Sequence, residues 1–316
     1  MLCLVCGHDT TTPQATACRS CGTPFAGTAP APHVLTPGSL LLEQTYSVGK
    51  VLGQGGFGIT YLGSDTRLRR PVAIKEFFPA GCVRHSATVV PAGAWTPETY
   101  AEARQRFVQE GQALGRFRHA GIVQVHAAFE ANNTAYLVME YVRGQTLAAL
   151  LLERGGRLDE AEVLAYVQRA AEALEVVHAA ELLHRDIKPD NLMVSPDGRV
   201  VLLDFGTARE FSAGQTQRHS VLITPGYAPL EQYAQQAQHG PYTDVYALAA
   251  TTYHLLTGVL PVAATDRAAG VELPPLQQLR PEVSAAVAEA VMAGLAMRAR
   301  GVRAPGWSGC AAHGCW

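Results

Sequence analysis

The stretch His184-Arg185-Asp186-Ile187-Lys188-Pro189-Asp190-Asn191 (HRDIKPDN) decides the fold of this 316-residue chain. It holds five ionisable side chains and a carboxamide between apolar runs at 182–183 and 192–194. Charges held between buried segments need partners or a chemical task, because burying an unpaired charge is costly. The rest of the sequence must therefore supply those partners.

Two strand-like runs follow this stretch, joined by the strong turn sequence Ser195-Pro196-Asp197-Gly198. If Val194 pairs with Arg199, the second strand carries Asp204 back beside Asn191. Oxygen ligands gathered in this way suit Mg²⁺ bound together with phosphates. The side chains expected to converge are Asp186, Asn191 and Asp204.

A glycine-rich stretch, Gly53-Gln54-Gly55-Gly56-Phe57-Gly58, lies between strand-like segments at 48–52 and 59–62. Glycines let backbone amides approach an anion closely, although a hairpin turn without a ligand explains this pattern equally well. A strand follows instead of a helix, which disfavours a dinucleotide-binding βαβ unit. The phosphate interpretation gains weight from Val72-Ala73-Ile74-Lys75, an apolar strand that ends in a lysine.

Helical periodicity covers residues 99–117 and 160–180. In the first of these helices Glu110 shares a face with Phe107 and Leu114. A carboxylate there needs a cation, and Lys75 is the obvious candidate; a glutamate that extends to the helix rim is the alternative. Strands dominate early and helices late, which predicts an α+β fold with two unequal lobes.

Four of the seven cysteines lie in the first 21 residues, as Cys3-x-x-Cys6 and Cys18-x-x-Cys21. This spacing suits a tetrahedral zinc ion, with disulfides as the alternative. The following Pro- and Ala-rich segment is typical of a linker. We therefore expect a zinc ribbon at 1–25, a linker at 26–45 and the main domain at 46–300.

Composition excludes several classes of function. The net charge of -2 gives no basic field for nucleic acid, and Arg19 is the one basic residue among the first 38. No apolar tract reaches the roughly 18–20 residues of a membrane span, and the start of the chain lacks a signal-peptide pattern. We expect a soluble cytoplasmic protein without a membrane segment.

Taken together, the motifs resemble the protein kinase family, in its bacterial serine/threonine (Hanks-type) branch. The glycine loop, Val72-Ala73-Ile74-Lys75, HRDIKPDN and Asp204-Phe205-Gly206 occur in the family's order. The resemblance implies a bilobal fold, with a β-rich N-lobe at about 46–140 and a helical C-lobe at about 141–300. It also implies transfer of the γ-phosphate of ATP to Ser and Thr hydroxyls of proteins.

The resemblance implies a role for each matched residue. Lys75 would hold the α- and β-phosphates and pair with Glu110. Asp186 would accept or orient the proton of the substrate hydroxyl, and Lys188 would neutralise the γ-phosphate. The metal ligands would be Asn191 and Asp204, for Mg²⁺ or Mn²⁺. The ATP-binding positions would be Leu52, Gly53, Gln54, Gly55, Gly56, Phe57, Gly58, Thr60, Ala73, Lys75, Met139, Glu140 and Val142.

Further positions match the segment that the family uses for activation. Arg185 resembles the arginine that pairs with a phosphate on this segment. Thr224 resembles the threonine bonded to the aspartate and lysine of HRDIKPDN, and Asp244 the aspartate that braces this loop. The phosphorylation candidates are Ser212, Thr216 and Ser220, so self-association for autophosphorylation is a possible partner interaction.

Two segments depart from the family pattern. Residues 76–98 form an insertion to which we assign no role beyond a docking surface. Residues 298–316 (RARGVRAPGWSGCAAHGCW) contain four glycines and no acidic residue. By alignment, an arginine partner for Glu231 is due near Val302, and Arg303 lies one place off. A frameshifted or truncated tail at 301–316 is our hypothesis for this difference.

Two other functions stay open at the level of sequence. One is an inactive kinase-fold scaffold, which the filled catalytic positions disfavour. The other is a zinc ribbon that binds nucleic acid or protein, for which protein is favoured by the lack of basic residues.

Overall fold

The computed structural model describes residues 3, 5, 15–24, 31–56, 58–205, 209–210, 223–234 and 237–297. The chain divides into two compact units. The first comprises residues 1–118 and 124–141, and the second comprises residues 119–123 and 142–316.

The first unit is built mainly of strands. Its elements are β1 (Leu40–Leu41), β2 (Tyr46–Gly55), β3 (Gly58–Asp65), β4 (Arg70–Phe77), β5 (Val83–His85), β6 (Thr88–Val90), α1 (Pro97–Leu114), β7 (Val125–Ala131) and β8 (Thr134–Glu140). Six of the strands form one antiparallel sheet in the order β1-β2-β3-β4-β8-β7. The strands predicted around the glycine-rich stretch are therefore present and longer than expected.

Helix α1 lies against β7 and β8. Thr96 caps its first turn through a hydrogen bond from the Thr99 amide, and Pro97 occupies the first helical position, where it needs no donor. Gly111 lets the helix approach the sheet closely, because a Cβ at this position would lie 2.1 Å from Leu137 Cδ2. The sequence thus fixes both the start of α1 and the distance of α1 from the sheet.

The segment predicted as a linker is folded onto the first unit over part of its length. β1 lies in this segment and pairs with β2, and Leu35 and Leu41 are buried. The expectation of a free linker at 26–45 is therefore wrong for residues 31–45. Apolar residues scattered among Pro, Ala and Thr carry no periodicity, so the sequence pattern did not indicate their burial.

The insertion at 76–98 contains the β5–β6 hairpin, which lies outside the main sheet. Glu76 is fully buried and forms an ion pair with Arg84 at 2.6 Å. The hydroxyls of Tyr61 and Tyr136 also donate to Glu76, at 2.9 and 3.0 Å. The insertion is thus fixed to the sheet by a buried, fully hydrogen-bonded carboxylate.

The second unit is mainly helical. Its elements are β9 (Gln145–Thr146), α2 (Leu147–Glu153), α3 (Glu160–Ala179), β10 (Leu182–Leu183), β11 (Leu192–Val194), β12 (Val200–Leu202), β13 (Arg209–Glu210), α4 (Leu230–Tyr233), α5 (Pro241–Thr257), α6 (Ala264–Ala268), α7 (Leu276–Leu279) and α8 (Ala285–Gly294). Helix α3 buries the apolar face that its periodicity predicts. Helix α5 packs against α3 and α8.

The hairpin after HRDIKPDN forms in a register one residue from the predicted one. Val194 pairs with Val200 instead of Arg199, and Leu192 pairs with Leu202. The amide of Ser195 bonds to the carbonyl of Arg199, so these two residues face each other and residues 196–198 form the turn. In the part of the chain that the structure describes, no helix is long and apolar enough to cross a membrane.

Candidate active site

In the first unit, sheet register aligns the residues predicted to contact a nucleotide. Gly53 pairs with Thr60, and Thr60 pairs with Lys75 on the neighbouring strand. Two residues before Lys75 on β4, Ala73 pairs with Met139. These pairings give two rows across the sheet. One row contains Lys75, and the other contains Ala73 and Met139, next to the end of β8 at Glu140. Lys75 itself is only 7% exposed, which is unusual for a lysine.

Glu110 lies on α1 as its spacing predicts. It is half-buried, between Phe107 and Leu114, which are both buried. Helix α1 packs on the same sheet that contains Lys75. Glu110 is therefore partly shielded from solvent, on the same helix face as two buried apolar residues.

In the second unit, HRDIKPDN forms a hydrogen-bonded cluster around Asp186. The ammonium of Lys188 lies 2.9 Å from Asp186 Oδ2 and 3.1 Å from Oδ1. Thr224 donates to Asp186 Oδ1 at 2.9 Å and accepts from Lys188 at 3.1 Å. The hydrogen bonds expected of Thr224 are thus present, and all three side chains keep some solvent exposure.

Asn191 orients Asp186 from the other side. Its Nδ2 donates at 2.8 Å both to the carbonyl and to Oδ2 of Asp186. The carbonyl of Asn191 accepts the amide of Leu203, which brings Asp204, the next residue, to this end of the hairpin. Because both Asn191 donors are directed to Asp186, its Oδ1 is left to accept a cation or a donor. Asp204 and Arg185 both have positive φ angles, of 55° and 65°, which non-glycine residues rarely adopt.

Asp244 on α5 supports this loop from within the core, as expected. Its carboxylate is fully buried and accepts the backbone amides of His184 and Arg185 at 2.9 and 2.7 Å. His178 Nε2 lies 2.8 Å from the same carboxylate. Burial alone would raise the pKa of Asp244, but these hydrogen bonds and nearby charges hold its pKa below the ordinary value.

Matches with known proteins were consistent with this geometry. The family model described as "Protein kinase domain" matches residues 46–278. The chain belongs to the protein kinase family. The match includes the glycine-rich stretch and Lys75, which lie in the first unit, and the Asp186 cluster, which lies in the second.

Several bacterial kinases are similar in sequence. Serine/threonine-protein kinase PknA of Nostoc sp. is 36% identical over 233 residues, which is 70% of this chain and 38% of that protein. Serine/threonine-protein kinase PknL of Mycobacterium tuberculosis is 33% identical over 253 residues, which is 79% of this chain and 58% of that protein. The chain therefore spans about 38% to 58% of the length of these relatives.

A solved structure named "PpkA-294 apo form" has the same fold. It matches with a TM-score of 0.72 at 30% identity and covers 84% of this chain and 94% of that one. The likeness extends over both units, since neither contains 84% of the residues.

Some predicted kinase residues lie outside the described residues. These are Phe57, Gly206, the candidate acceptors Ser212, Thr216 and Ser220, the zinc-ligand candidate Cys6, and the tail at 298–316. Their predicted roles stay as predictions.

His184 has a structural role in HRDIKPDN that sequence reasoning missed. The ring is fully buried, and its Nε2 donates to the carbonyl of Leu203 at 2.9 Å. Its Nδ1 accepts the amide of Asp186 at 3.3 Å. Burial lowers the pKa of His184, so the neutral Nε2–H form links the Asp186 backbone to the strand before Asp204. From the sequence, His184 counted as one of the potentially charged side chains of HRDIKPDN, whereas the structure makes it a neutral ring with two backbone hydrogen bonds.

Gln232 is a second residue that sequence reasoning missed. Its side-chain amide is buried and donates to the carbonyl of Arg185 at 2.8 Å. This bond joins α4 to the loop one residue before Asp186. A polar residue in a short helix gave no signal in the sequence, because its partner is 47 positions away.

Proposed function

We propose that this chain is an ATP-dependent serine/threonine protein kinase. The observation that carries the proposal is the cluster of Asp186, Lys188 and Thr224, with the Asp186 carboxylate held by three donor groups. A carboxylate fixed in this way can orient an acceptor hydroxyl and take its proton. The ammonium of Lys188 beside it can offset the negative charge that develops on a transferred phosphoryl group.

The nucleotide assignment follows the family motifs. Backbone amides of the glycine-rich stretch and the ammonium of Lys75 would hold the phosphates, and Glu110 would position Lys75. Leu52, which is 41% exposed, together with Ala73, Met139 and the neighbouring Glu140 and Val142, would bind adenine. The alignment of Gly53, Thr60 and Lys75 in one row of the sheet supports this assignment.

Asn191 and Asp204 fit a divalent cation. Both offer oxygen donors, and the Asn191 amide nitrogen is occupied by Asp186. Bound Mg²⁺ would neutralise phosphate charge. The substrates of this activity would be proteins with Ser or Thr acceptors, including Ser212, Thr216 or Ser220 of a second copy of this chain.

Phosphate transfer from γ-labelled ATP tests the proposal. We expect the full chain to label itself or a basic protein substrate in the presence of Mg²⁺, and Asp186→Asn to lose this activity. Asp190→Asn is the matched control, because Asp190 is exposed in the same loop and lies outside the cluster. Absence of label from all three proteins, with ATP binding retained, would show that the chain is a scaffold instead.

We further propose that Cys3, Cys6, Cys18 and Cys21 bind one zinc ion. The thiols of Cys3, Cys18 and Cys21 lie within 4.8 Å of one another, and Cys3 and Cys21 Sγ are 3.6 Å apart. This separation suits two ligands of a tetrahedral Zn²⁺ with Zn–S bonds of about 2.3 Å. The 3.6 Å between Cys3 and Cys21 Sγ is longer than a disulfide bond of about 2.05 Å, which argues against that alternative for this pair.

The surroundings of the thiols support a charged metal site. Cys3 and Cys18 pack with Val5 against Leu62 of β3, and Tyr141 lies against the same cluster. A Cβ at Gly22 would lie 2.9 Å from the ammonium of Lys50, so a positive charge lies beside the residue that follows Cys21. This charge complements the excess negative charge of a four-thiolate zinc site.

Zinc content of the purified full chain tests this second proposal. We expect one zinc per chain by elemental analysis, loss of zinc in Cys18→Ser, and retention in Cys82→Ser. Cys82 is the matched control because its side chain is buried and lies outside the cluster. A chain that binds no zinc, or a Cys18→Ser variant that keeps it, would contradict the proposal.

A further inference from the structure

The segment 33–35, which we call the strap, contacts the glycine-rich stretch directly. The imidazole Nε2 of His33 lies 3.0 Å from Oε1 of Gln54. The amide oxygen can only accept, so the ring donates through Nε2–H. A residue outside the kinase family match is therefore hydrogen-bonded to the second position of the glycine-rich stretch.

The strap is anchored on both sides of this contact. The carbonyl of His33 accepts Arg84 Nε at 2.9 Å, and the His33 ring lies beside Phe78. Leu35 is 2% exposed, and its amide donates to the Tyr61 hydroxyl at 3.2 Å. His33 is thus held in place by contacts that are independent of Gln54.

These anchors belong to the buried network of Glu76. The Arg84 guanidinium is 1% exposed, lies over the Phe78 ring, and pairs with Glu76 at 2.6 Å. Tyr61, which binds the strap, also donates to Glu76. Separating any member would leave a buried charge or hydroxyl without its partner, so the network is costly to rearrange.

The insertion holds the same stretch at a second point. The amide of Ala80 donates to the carbonyl of Gly56 at 3.1 Å. At Gly58 an added Cβ would lie 2.1 Å from the carbonyl oxygen of Glu76, so the two backbones are in close contact. Gln54, Gly56 and Gly58 are therefore each fixed by the strap or by the insertion.

We propose that His33 is a positioning residue for the glycine-rich loop, which it holds for ATP through Gln54. The inference rests on the proposed function, in which this loop binds phosphates. A glycine-rich loop has high conformational entropy when free, and ordering it on binding lowers affinity. The strap and the 76–98 insertion reduce that cost because they hold the loop before ATP arrives.

Steady-state kinetics of His33 variants test the role. His33→Phe keeps a ring beside Phe78 but removes the donor, and His33→Gln returns an amide donor of similar reach. One neutral hydrogen bond corresponds to about a two- to tenfold change, so we expect the KM for ATP to rise by about this factor in His33→Phe with kcat unchanged. His33→Gln should restore the KM, and His85→Phe, an exposed histidine on β5, should leave it unchanged.

Hydrogen exchange of the nucleotide-free protein separates this inference from the proposed function. We expect faster exchange of the amides at 54–58 in His33→Phe than in the parent, with an unchanged melting temperature. Parent-like exchange and a parent-like KM in His33→Phe would overturn the inference. A parent chain that binds no ATP would contradict the proposed function, while the exchange result would still decide whether the strap holds the loop.

Discussion

Thr224 and Asp186 lie 38 positions apart in the chain and share a hydrogen bond of 2.9 Å. The same hydroxyl accepts a hydrogen bond from Lys188, so one side chain fixes the carboxylate and the ammonium relative to each other. A hydroxyl has one proton to donate, and here it is directed to the carboxylate. Thr224 therefore holds Asp186 Oδ1 and the Lys188 ammonium in one arrangement.

Replacement of Thr224 by Val should lower activity with little change in fold. Valine has nearly the same shape but cannot bridge Asp186 and Lys188. A hydrogen bond to a charged group corresponds to about 1.5–3 kcal/mol, so we expect kcat to fall by about 10- to 100-fold. Thr224→Ser retains the hydroxyl and should keep most of the activity. Equal rates for the Val and Ser variants would contradict the role of the hydroxyl.

Replacement of Asp244 by Asn should destabilise the second unit. An amide supplies one acceptor oxygen where the carboxylate receives three hydrogen bonds, and its NH₂ would face the backbone amides. Breaking a buried charged network costs about 3–5 kcal/mol, which urea unfolding at neutral pH would measure. A loss below about 1 kcal/mol would be no larger than that of an average substitution and would contradict this account.

The stabilisation by Asp244 also has a defined pH dependence. The pKa of this carboxyl is lower in the folded state than in the unfolded state, because hydrogen bonds outweigh its burial. Its contribution is therefore complete above the unfolded pKa of about 3.9 and is lost as the pH falls through the folded value. The difference in unfolding free energy between the parent and Asp244→Asn should shrink only in acid.

The site elements that the sequence predicted correctly are local. HRDIKPDN, the turn after it and the strand that contains Lys75 each depend on residues within a few positions of one another. The same locality explains the error in hairpin register, because the turn sequence at 195–198 alone does not settle whether Val194 faces Arg199 or Val200. A hydrogen bond from Ser195 to the Arg199 carbonyl decides it.

The features that the sequence did not predict depend on distant partners. His184 is neutral because burial lowers its pKa, and the Leu203 carbonyl fixes its tautomer; HRDIKPDN alone shows neither. Leu35 is buried where its amide bonds to the hydroxyl of Tyr61, which in turn bonds to Glu76. Such contacts join residues that are far apart in the sequence, which is why the sequence pattern predicted a linker for residues 31–45.

Replacement of Gly111 by Ala should destabilise the first unit, although alanine favours helices. The added methyl group would meet Leu137 at 2.1 Å and Ala128 at 3.2 Å, where α1 approaches the sheet. Such overpacking costs about 1–3 kcal/mol, measurable by thermal or urea unfolding.

Gly115 provides the matched control, since it ends the same helix. Its φ of −61° suits alanine, and a Cβ there would meet only carbonyl oxygens at 3.4 and 3.5 Å. Gly115→Ala should be neutral or stabilising by up to about 1 kcal/mol. Equal effects at Gly111 and Gly115 would show that helix propensity, not the contact with Leu137, determines the result.

Glu231 on α4 is half-buried beside Thr243, whose hydroxyl donates to it at 3.1 Å. No residue that the structure describes forms an ion pair with Glu231. Burial raises the pKa of this carboxyl above its ordinary value. The folded state therefore binds a proton more tightly than the unfolded state, and stability falls as the pH rises from about 4.3 through the folded pKa.

Replacement of Glu231 by Gln should raise the unfolding free energy at neutral pH, because an amide has no charge to bury and still accepts from Thr243. The difference from the parent should vanish below about pH 4, where the carboxyl is protonated in both states. Glu289→Gln, at an exposed position of α8, is the control and should change stability by less than about 0.5 kcal/mol. Urea unfolding at several pH values would measure both variants. If Glu231→Gln were destabilised at neutral pH instead, a cation must pair with the carboxylate, and Arg298, Arg300 and Arg303, which lie outside the described residues, would be the first to replace.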